Sequence, residues 1–332
     1  MKAAVFVKPG ELRVVDVPMP EYPPDGLLMR VKSCSICGSD VSTYKYSGAW
    51  ADVGIPTDEG VILGHEVAGE VVEVGPLAKG YQVGDRLVQQ TMGGYAEYLA
   101  VGLNWGMSPP YKMSDKVSFE EASTVEPLSV SYTAVKRAEP KPTDTVLILG
   151  AGPVGLGCLQ VLKAEFPVKQ ILVADTSEKR LAVAQELGAD FVINVRKEKM
   201  ADRVAEIAGD ESVFFLDHMA TGVDVVLECA GAAATAQLAI EIVKPITGRV
   251  VMVALYHEHI PIDPNYIVLK NITVRGAMPT TSTEFNHCAE LVSSGKVNRK
   301  PLISHRFSLD EITKAFEVQA NSDESVKVVV IP

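Results

Sequence analysis

The pattern of apolar positions changes twice along the chain, and those changes mark its organisation. Up to about residue 102, short apolar runs alternate with turn residues. Runs at 3–7 and 12–17 flank Lys8-Pro9-Gly10-Glu11; runs at 27–34, 66–74, 86–90 and 95–101 follow, with Gly84-Asp85 and Gly93-Gly94 between them. Short strands separated by turn signals predict a hairpin and then a compact β barrel or sandwich. At Ser118 the character becomes helical, because Ser118-Phe119-Glu120-Glu121 carries the serine and glutamate of a capping box. Pro127 biases Glu126 away from helical geometry, which predicts a break at Glu126 before a second helix over 128–137.

From Thr145 onward, apolar strands at 146–149, 170–174, 191–194, 224–228, 249–254 and 272–275 alternate with helical stretches. That alternation predicts a parallel sheet with helices on both faces. The tail returns to a mixed pattern: helices over 284–293 and, after the capping box Ser308-Leu309-Asp310-Glu311, to about 319. The apolar strand 326–331 then suits pairing with the first domain. The predicted fold class is α/β: a Rossmann doubly wound parallel sheet over 129–279, inserted into a β-rich domain built from 1–128 plus 280–332.

Composition narrows the class of partner. With 31 basic and 42 acidic side chains the net charge is −11, which argues against nucleic acid or an anionic membrane as partner. No apolar run approaches the ~18 residues of a bilayer span, and the N-terminal apolar stretch is too short for a signal peptide. The 5 cysteines make no disulfide framework. A cytoplasmic protein acting on a small molecule is the expectation.

The clearest chemistry lies in Gly150-Ala151-Gly152-Pro153-Val154-Gly155, which joins a buried strand to an apolar-periodic helix. Gly150 permits the tight turn, Gly152 lets the backbone approach a pyrophosphate, and Gly155 lets helix and strand pack closely. Pro153 and Val154 open the helix, whose N-terminus favours phosphate charge. Asp175 lies 20 residues beyond Gly155, near the expected offset of about 20 for an acid on the ribose hydroxyls. A carboxylate there repels a 2′-phosphate, so NAD is favoured over NADP.

A second group lies outside that segment. Cys37 follows a strand in Cys34-Ser35-Ile36-Cys37-Gly38-Ser39-Asp40, His65 and Glu66 open another, and Glu126 precedes Pro127. A thiolate, an imidazole and a carboxylate suit Zn²⁺ with an open fourth position, although their separation in sequence carries little weight alone. Each has a plainer reading: His65 as a hydrogen-bonded core histidine, Glu66 and Glu126 as solvated or salt-bridged carboxylates. Cys34 reads as packing, since no second C-x-x-C accompanies it. His257-Glu258-His259 reads as a surface loop, and Cys158, Cys229 and Cys288 as packing.

Taken jointly, Cys37-Gly38-Ser39-Asp40, Gly64-His65-Glu66, Gly84-Asp85-Arg86-Leu87, Glu126-Pro127-Leu128-Ser129 and the glycine turn resemble the zinc-dependent medium-chain dehydrogenases over essentially the whole chain. Within them the chain is most similar to the sorbitol (polyol) and threonine dehydrogenase branch. The resemblance implies a GroES-like catalytic domain and NAD-linked oxidation of a secondary alcohol to a ketone. Cys37 and His65 would be zinc ligands, completed by Glu66 or Glu126, with Ser39 relaying the alcohol proton. Asp175 and Arg180 would hold the adenosine half of NAD; Ala230, Ala277 and Met278 are further candidate cofactor contacts. Thr43, Tyr44 and Trp50 are candidate substrate-wall residues in a cleft between domains. The resemblance also implies a homodimer or homotetramer paired near residues 272–276.

Two departures from the family pattern matter. No cysteine stands between Gly84-Asp85-Arg86 and Tyr95-Ala96-Glu97-Tyr98, where relatives carry a four-cysteine structural zinc lobe, so one zinc per chain is expected. Ser42 stands where the family often has histidine, which leaves the relay's exit and the particular alcohol open. Threonine or butanediol dehydrogenation, a zinc-free enoyl or quinone reductase, and a non-catalytic NAD-binding protein are the alternatives.

Overall fold

The computed structural model describes the chain except residues 104–108, 212–219 and 257–258, and the side chains of Ala49 and Trp50. It divides into two compact units, Met1–Ser129 with Thr281–Pro332, and Val130–Thr280.

In the second unit, six strands form one sheet among the described residues, in the spatial order Phe191–Asn194, Gln170–Asp175, Thr145–Leu149, Val225–Glu228, Arg249–Met252 and Thr273–Gly276. Every neighbouring pair is parallel. Thr145–Leu149 is buried throughout, as its unbroken apolar run requires of a strand covered on both faces. The strand order reverses between Thr145–Leu149 and Val225–Glu228, and ligands of doubly wound sheets bind at such a switch point.

Among the described residues the first unit holds two sheets. One joins Glu11–Asp16, Lys2–Lys8, Gly60–Ile62 and Ile55–Thr57. The other centres on Gly26–Ser35, which pairs with Glu66–Val74, with Tyr98–Gly102 and with the closing strand Lys327–Ile331. Strands Lys2–Lys8 and Gly26–Ser35 feed one apolar core that also takes in Tyr95, Phe316 and Val330. Among the described residues no helix is long and apolar enough to cross a membrane.

Three local expectations change. Helix Gly38–Tyr46 was not signalled, because its polar sequence lacks a 3.6-residue apolar stripe. Helix Asn265–Lys270 is likewise additional. Glu126 is not at a break: one helix runs Val125–Ala138 and holds both Glu126 and Pro127 in its first turn. Proline is tolerated there because a first-turn N–H has no helical acceptor to lose.

Candidate metal centre and dinucleotide turn

Cys37 ends the exit from strand Gly26–Ser35 and is the residue before helix Gly38–Tyr46. Asp40, three residues on, reaches back to accept the Cys37 N–H at 3.1 Å, which fixes how the thiol leaves the strand. His65 follows Gly64, whose φ of +90° and whose neighbours leave no room for a side chain: a Cβ would lie 2.9 Å from Cys34 Sγ and 3.0 Å from the Tyr95 ring. Glu66 opens its strand opposite Ser35 and Gln90. These three segments bring one donor atom each from Cys37, His65 and Glu66 within 4.8 Å of one another.

The surroundings fit a cation. His65 Nδ1 faces Asp40 Oδ1 at 3.5 Å, so with a cation bound the N–H would sit on Nδ1 toward Asp40 and Nε2 would give up its proton to the ion. Tyr95 donates to Asp40 Oδ2 at 2.8 Å. Burial opposes charge on His65, yet the Asp40 carboxylate and the Cys37 sulfur hold it well above its ordinary value. Burial also works against Asp40, but His65 and Tyr95 bring it below the usual carboxylate range. A site that favours positive charge so strongly, lined by a thiol, an imidazole and a carboxylate, fits Zn²⁺.

Glu66 is anchored on one side only. Its Oε2 accepts from Ser35 Oγ and pairs with Lys327 Nζ, and Lys327 also donates to Ile36 O at 2.8 Å. Its Oε1 is enclosed and has no hydrogen-bond partner among the described residues, which leaves it open to a further ligand. Glu126 lies outside the close trio; its Oε1 accepts from Gln90 Nε2 at 2.6 Å. Burial lifts Glu126 to about 7, with His65 and Lys327 pulling down and Glu66 and Asp40 pushing up. Glu126 is thus electrostatically joined to the centre while bonded elsewhere. Ser39 Oγ is enclosed and makes no hydrogen bond with a described residue.

Other candidates stand in different surroundings. Thr43 is buried in its helix. The Tyr44 ring packs edge-on against Phe316 at 5.4 Å, and its hydroxyl donates to Gly10 O at 3.3 Å, so its polar end is used at the exposed Gly10 turn. The Trp50 side chain and His257 and Glu258 lie outside the described residues. Cys34 is packing, pressed between Gly64 and Gly94. Asp40, Tyr95, Ser35 and Lys327 were not among the candidates, although Lys327 carried a signal: a lone cation in an apolar strand demands a buried partner.

In the other unit the glycine turn has the geometry its sequence requires. Gly150 has φ +95°, and a Cβ on Gly155 would sit 1.9 Å from Gly150 O, so only glycine lets this helix start so close to the strand. A Cβ on Gly152 would meet only Arg180 Nη1, at 3.7 Å, which leaves its backbone open to an incoming group beside a guanidinium. Gly152 precedes Pro153, the first residue of helix Pro153–Glu165, and Val154 follows it. Asp175 accepts from Ala151 N at 2.6 Å and from Ser177 N at 2.7 Å. A carboxylate offers about four lone-pair sites, so Asp175 has capacity left for ribose hydroxyls. Ala230 is exposed just past Val225–Glu228, Ala277 is buried with its N–H on Met252 O at 3.2 Å, and Met278 is partly exposed.

A half-buried thiol beside a buried imidazole and carboxylate in one unit, and a glycine turn at a helix N-terminus in the other, fit a metal- and nucleotide-dependent oxidoreductase. The chain belongs to the zinc-binding dehydrogenases: that family matches residues 153–294, and the alcohol dehydrogenase GroES-like domain matches residues 23–110. It is 32% identical to sorbitol dehydrogenase of Rattus norvegicus, over 97% of this chain and 93% of the relative. Among solved structures it is similar to 2R,3R-butanediol dehydrogenase from Bacillus subtilis, with 28% identity, a TM-score of 0.83 and coverage of 100% and 99% of the two chains. It is also similar to a zinc-binding dehydrogenase chain from Sinorhizobium meliloti 1021 bound to NADP, with 27% identity, a TM-score of 0.82 and the same coverage. The protein is therefore a zinc-dependent alcohol oxidoreductase of the polyol dehydrogenase branch that uses a nucleotide cofactor.

Proposed function

We propose that this enzyme oxidises a secondary alcohol of the polyol or sugar-alcohol type to the ketone with NAD, using one zinc per chain and no structural zinc. The observation that carries the reading is the convergence of Cys37, His65 and Glu66 on one point. These three would hold the ion, with Glu126 able to exchange for Glu66 because, among the described residues, its carboxylate is held by Gln90 alone. When bound, zinc supplies a Lewis acid that lowers the pKa of a substrate hydroxyl. Ser39 would relay the proton the hydroxyl gives up, its Oγ taking that proton as its own passes on toward solvent, and among the described residues that enclosed Oγ has no other hydrogen bond. Asp40 holds His65 in the tautomer that leaves Nε2 free, and Tyr95 keeps Asp40 in place. The Gly150 turn and Asp175 seat the dinucleotide whose nicotinamide takes the hydride.

A secondary alcohol is favoured because the sorbitol dehydrogenase relative and the butanediol dehydrogenase structure both bear names of such substrates. A screen of NAD⁺ and NADP⁺ reduction over sugar alcohols, 2,3-butanediol and L-threonine tests it. The expected result is turnover of a sugar alcohol with NAD⁺; turnover of threonine alone, or no turnover with zinc bound, would reject the polyol reading. Subunits are proposed to pair through the open edge strand Thr273–Gly276.

Asp175 supplies the cofactor prediction. Asp175→Ala removes a carboxylate that repels a 2′-phosphate while Arg180 stays near the turn. The ratio of kcat/KM for NAD⁺ to that for NADP⁺ is expected to fall about tenfold to a hundredfold, in line with the ~1.5–3 kcal/mol of a lost hydrogen bond to a charged group. Steady-state kinetics with both cofactors measure it; an unchanged ratio would place Asp175 away from the ribose.

A further inference from the structure

Strand Val225–Glu228 lies beside Thr145–Leu149 in register Leu149↔Glu228, and the chain that leaves it crosses directly behind the glycine turn. A Cβ on Gly150 would meet Ala230 Cα and N at 2.9 Å and Cys229 C at 3.0 Å. The Cys229-Ala230-Gly231 backbone is therefore the wall against which the Gly150 turn rests. That wall is set by one side chain. Glu228 is fully buried, and its Oε1 accepts from Ala230 N and Gly231 N, both at 3.0 Å. Thr235, in helix Ala233–Ile242, donates to the same oxygen at 2.7 Å. Tyr256, on the segment after the next strand, donates to Oε2 at 2.5 Å.

All four donors are neutral, and they come from two different connections at the carboxyl end of the sheet. A buried carboxylate so satisfied is rigid, because moving any of its partners strands an anion without hydrogen bonds. Dinucleotides bind outside this end of a doubly wound sheet, at the reversal of strand order. We propose that Glu228 is a positioning residue for the dinucleotide: through Ala230 and Gly231 it fixes the wall behind the phosphate-binding turn, with Thr235 on the same oxygen and Tyr256 locking the carboxylate from the far side. The inference rests on the reading that this unit binds a nicotinamide dinucleotide.

The test is the dissociation constant of NADH, followed by nicotinamide fluorescence on the zinc-loaded full chain, for Tyr256→Phe, Thr235→Val, Glu228→Gln and Glu228→Ala. Tyr256→Phe is expected to weaken NADH about fivefold, since a hydrogen bond to a charged group is lost. Glu228→Ala is expected to weaken it at least about tenfold. Glu228→Gln keeps an acceptor for Ala230 and Gly231 and is expected to recover most of that loss. KM for NAD⁺ should rise in parallel, with bound zinc and KM for the alcohol unchanged. Variants that melt at lower temperature but bind NADH as the wild type does would reduce the network to a structural one and overturn the inference alone. A wild-type chain that binds neither NADH nor NADPH would overturn the underlying reading as well.

Discussion

Cys37→Ser is expected to leave the fold intact, abolish stoichiometric zinc, and lower kcat at least about a thousandfold. Serine keeps the connectivity of cysteine but not its chemistry: an un-ionised hydroxyl does not replace a thiolate as a zinc ligand at neutral pH. His65 and Glu66 remain, and two side chains bind the ion far more weakly than three. A bound metal moves the pKa of a water from 15.7 to about 7, so its loss exceeds the ~4 kcal/mol that a thousandfold represents. Cys37 is half-buried at the N-cap of a helix, the Asp40 carboxylate bonds its backbone N–H, and serine is itself a favoured N-cap residue, so folding should be spared. Elemental analysis, circular dichroism and initial rates on the same sample separate these effects. An active variant with zinc still bound would remove Cys37 from the ligand set.

Lys327→Met is the second large effect, and it acts on stability. The Lys327 and Glu66 side chains are 2% and 0% exposed. Removing only the cation leaves Glu66 Oε2 with Ser35 as its remaining partner, in a site that also holds Asp40 and Glu126. Breaking a buried ion pair from one side costs about 3–5 kcal/mol, on the order of a 10 °C fall in Tm for a unit of this size. The double variant Lys327→Met with Glu66→Gln removes both charges and should recover most of the loss. Unfolding followed with a chelator present keeps zinc affinity out of the comparison. Equal melting of the single variant and the wild type would show that Glu66 does not depend on Lys327.

The two halves of the site differ in how far the sequence reveals them. The dinucleotide turn is local: its glycines are required by a positive φ and by a Cβ that would strike Gly150 O, and such constraints leave a mark within a dozen residues. The candidate metal centre draws on separate segments with no shared spacing, and only the joint resemblance of several motifs pointed to Cys37, His65 and Glu66 together. The residues around it were harder still. Asp40 was in view inside Cys37-Gly38-Ser39-Asp40, but its role depends on a helix whose sequence shows no apolar periodicity. Lys327 reaches Glu66 only because the last strand pairs antiparallel with Gly26–Ser35. Pro127 was read as a helix break when it marks a helix start, because a proline's missing N–H is costly only after the first turn. Glu228 closes an ordinary apolar strand, and its importance rests on Tyr256 and Thr235 arriving from elsewhere.

Zinc titration of chelator-treated enzyme is the most direct measurement of the central claim, with bound metal and NAD⁺ reduction by a sugar alcohol read on the same samples. The account predicts no activity without zinc, a linear return, and a plateau at one zinc per chain. Full activity in metal-free protein, or a plateau at two zincs per chain, would contradict it.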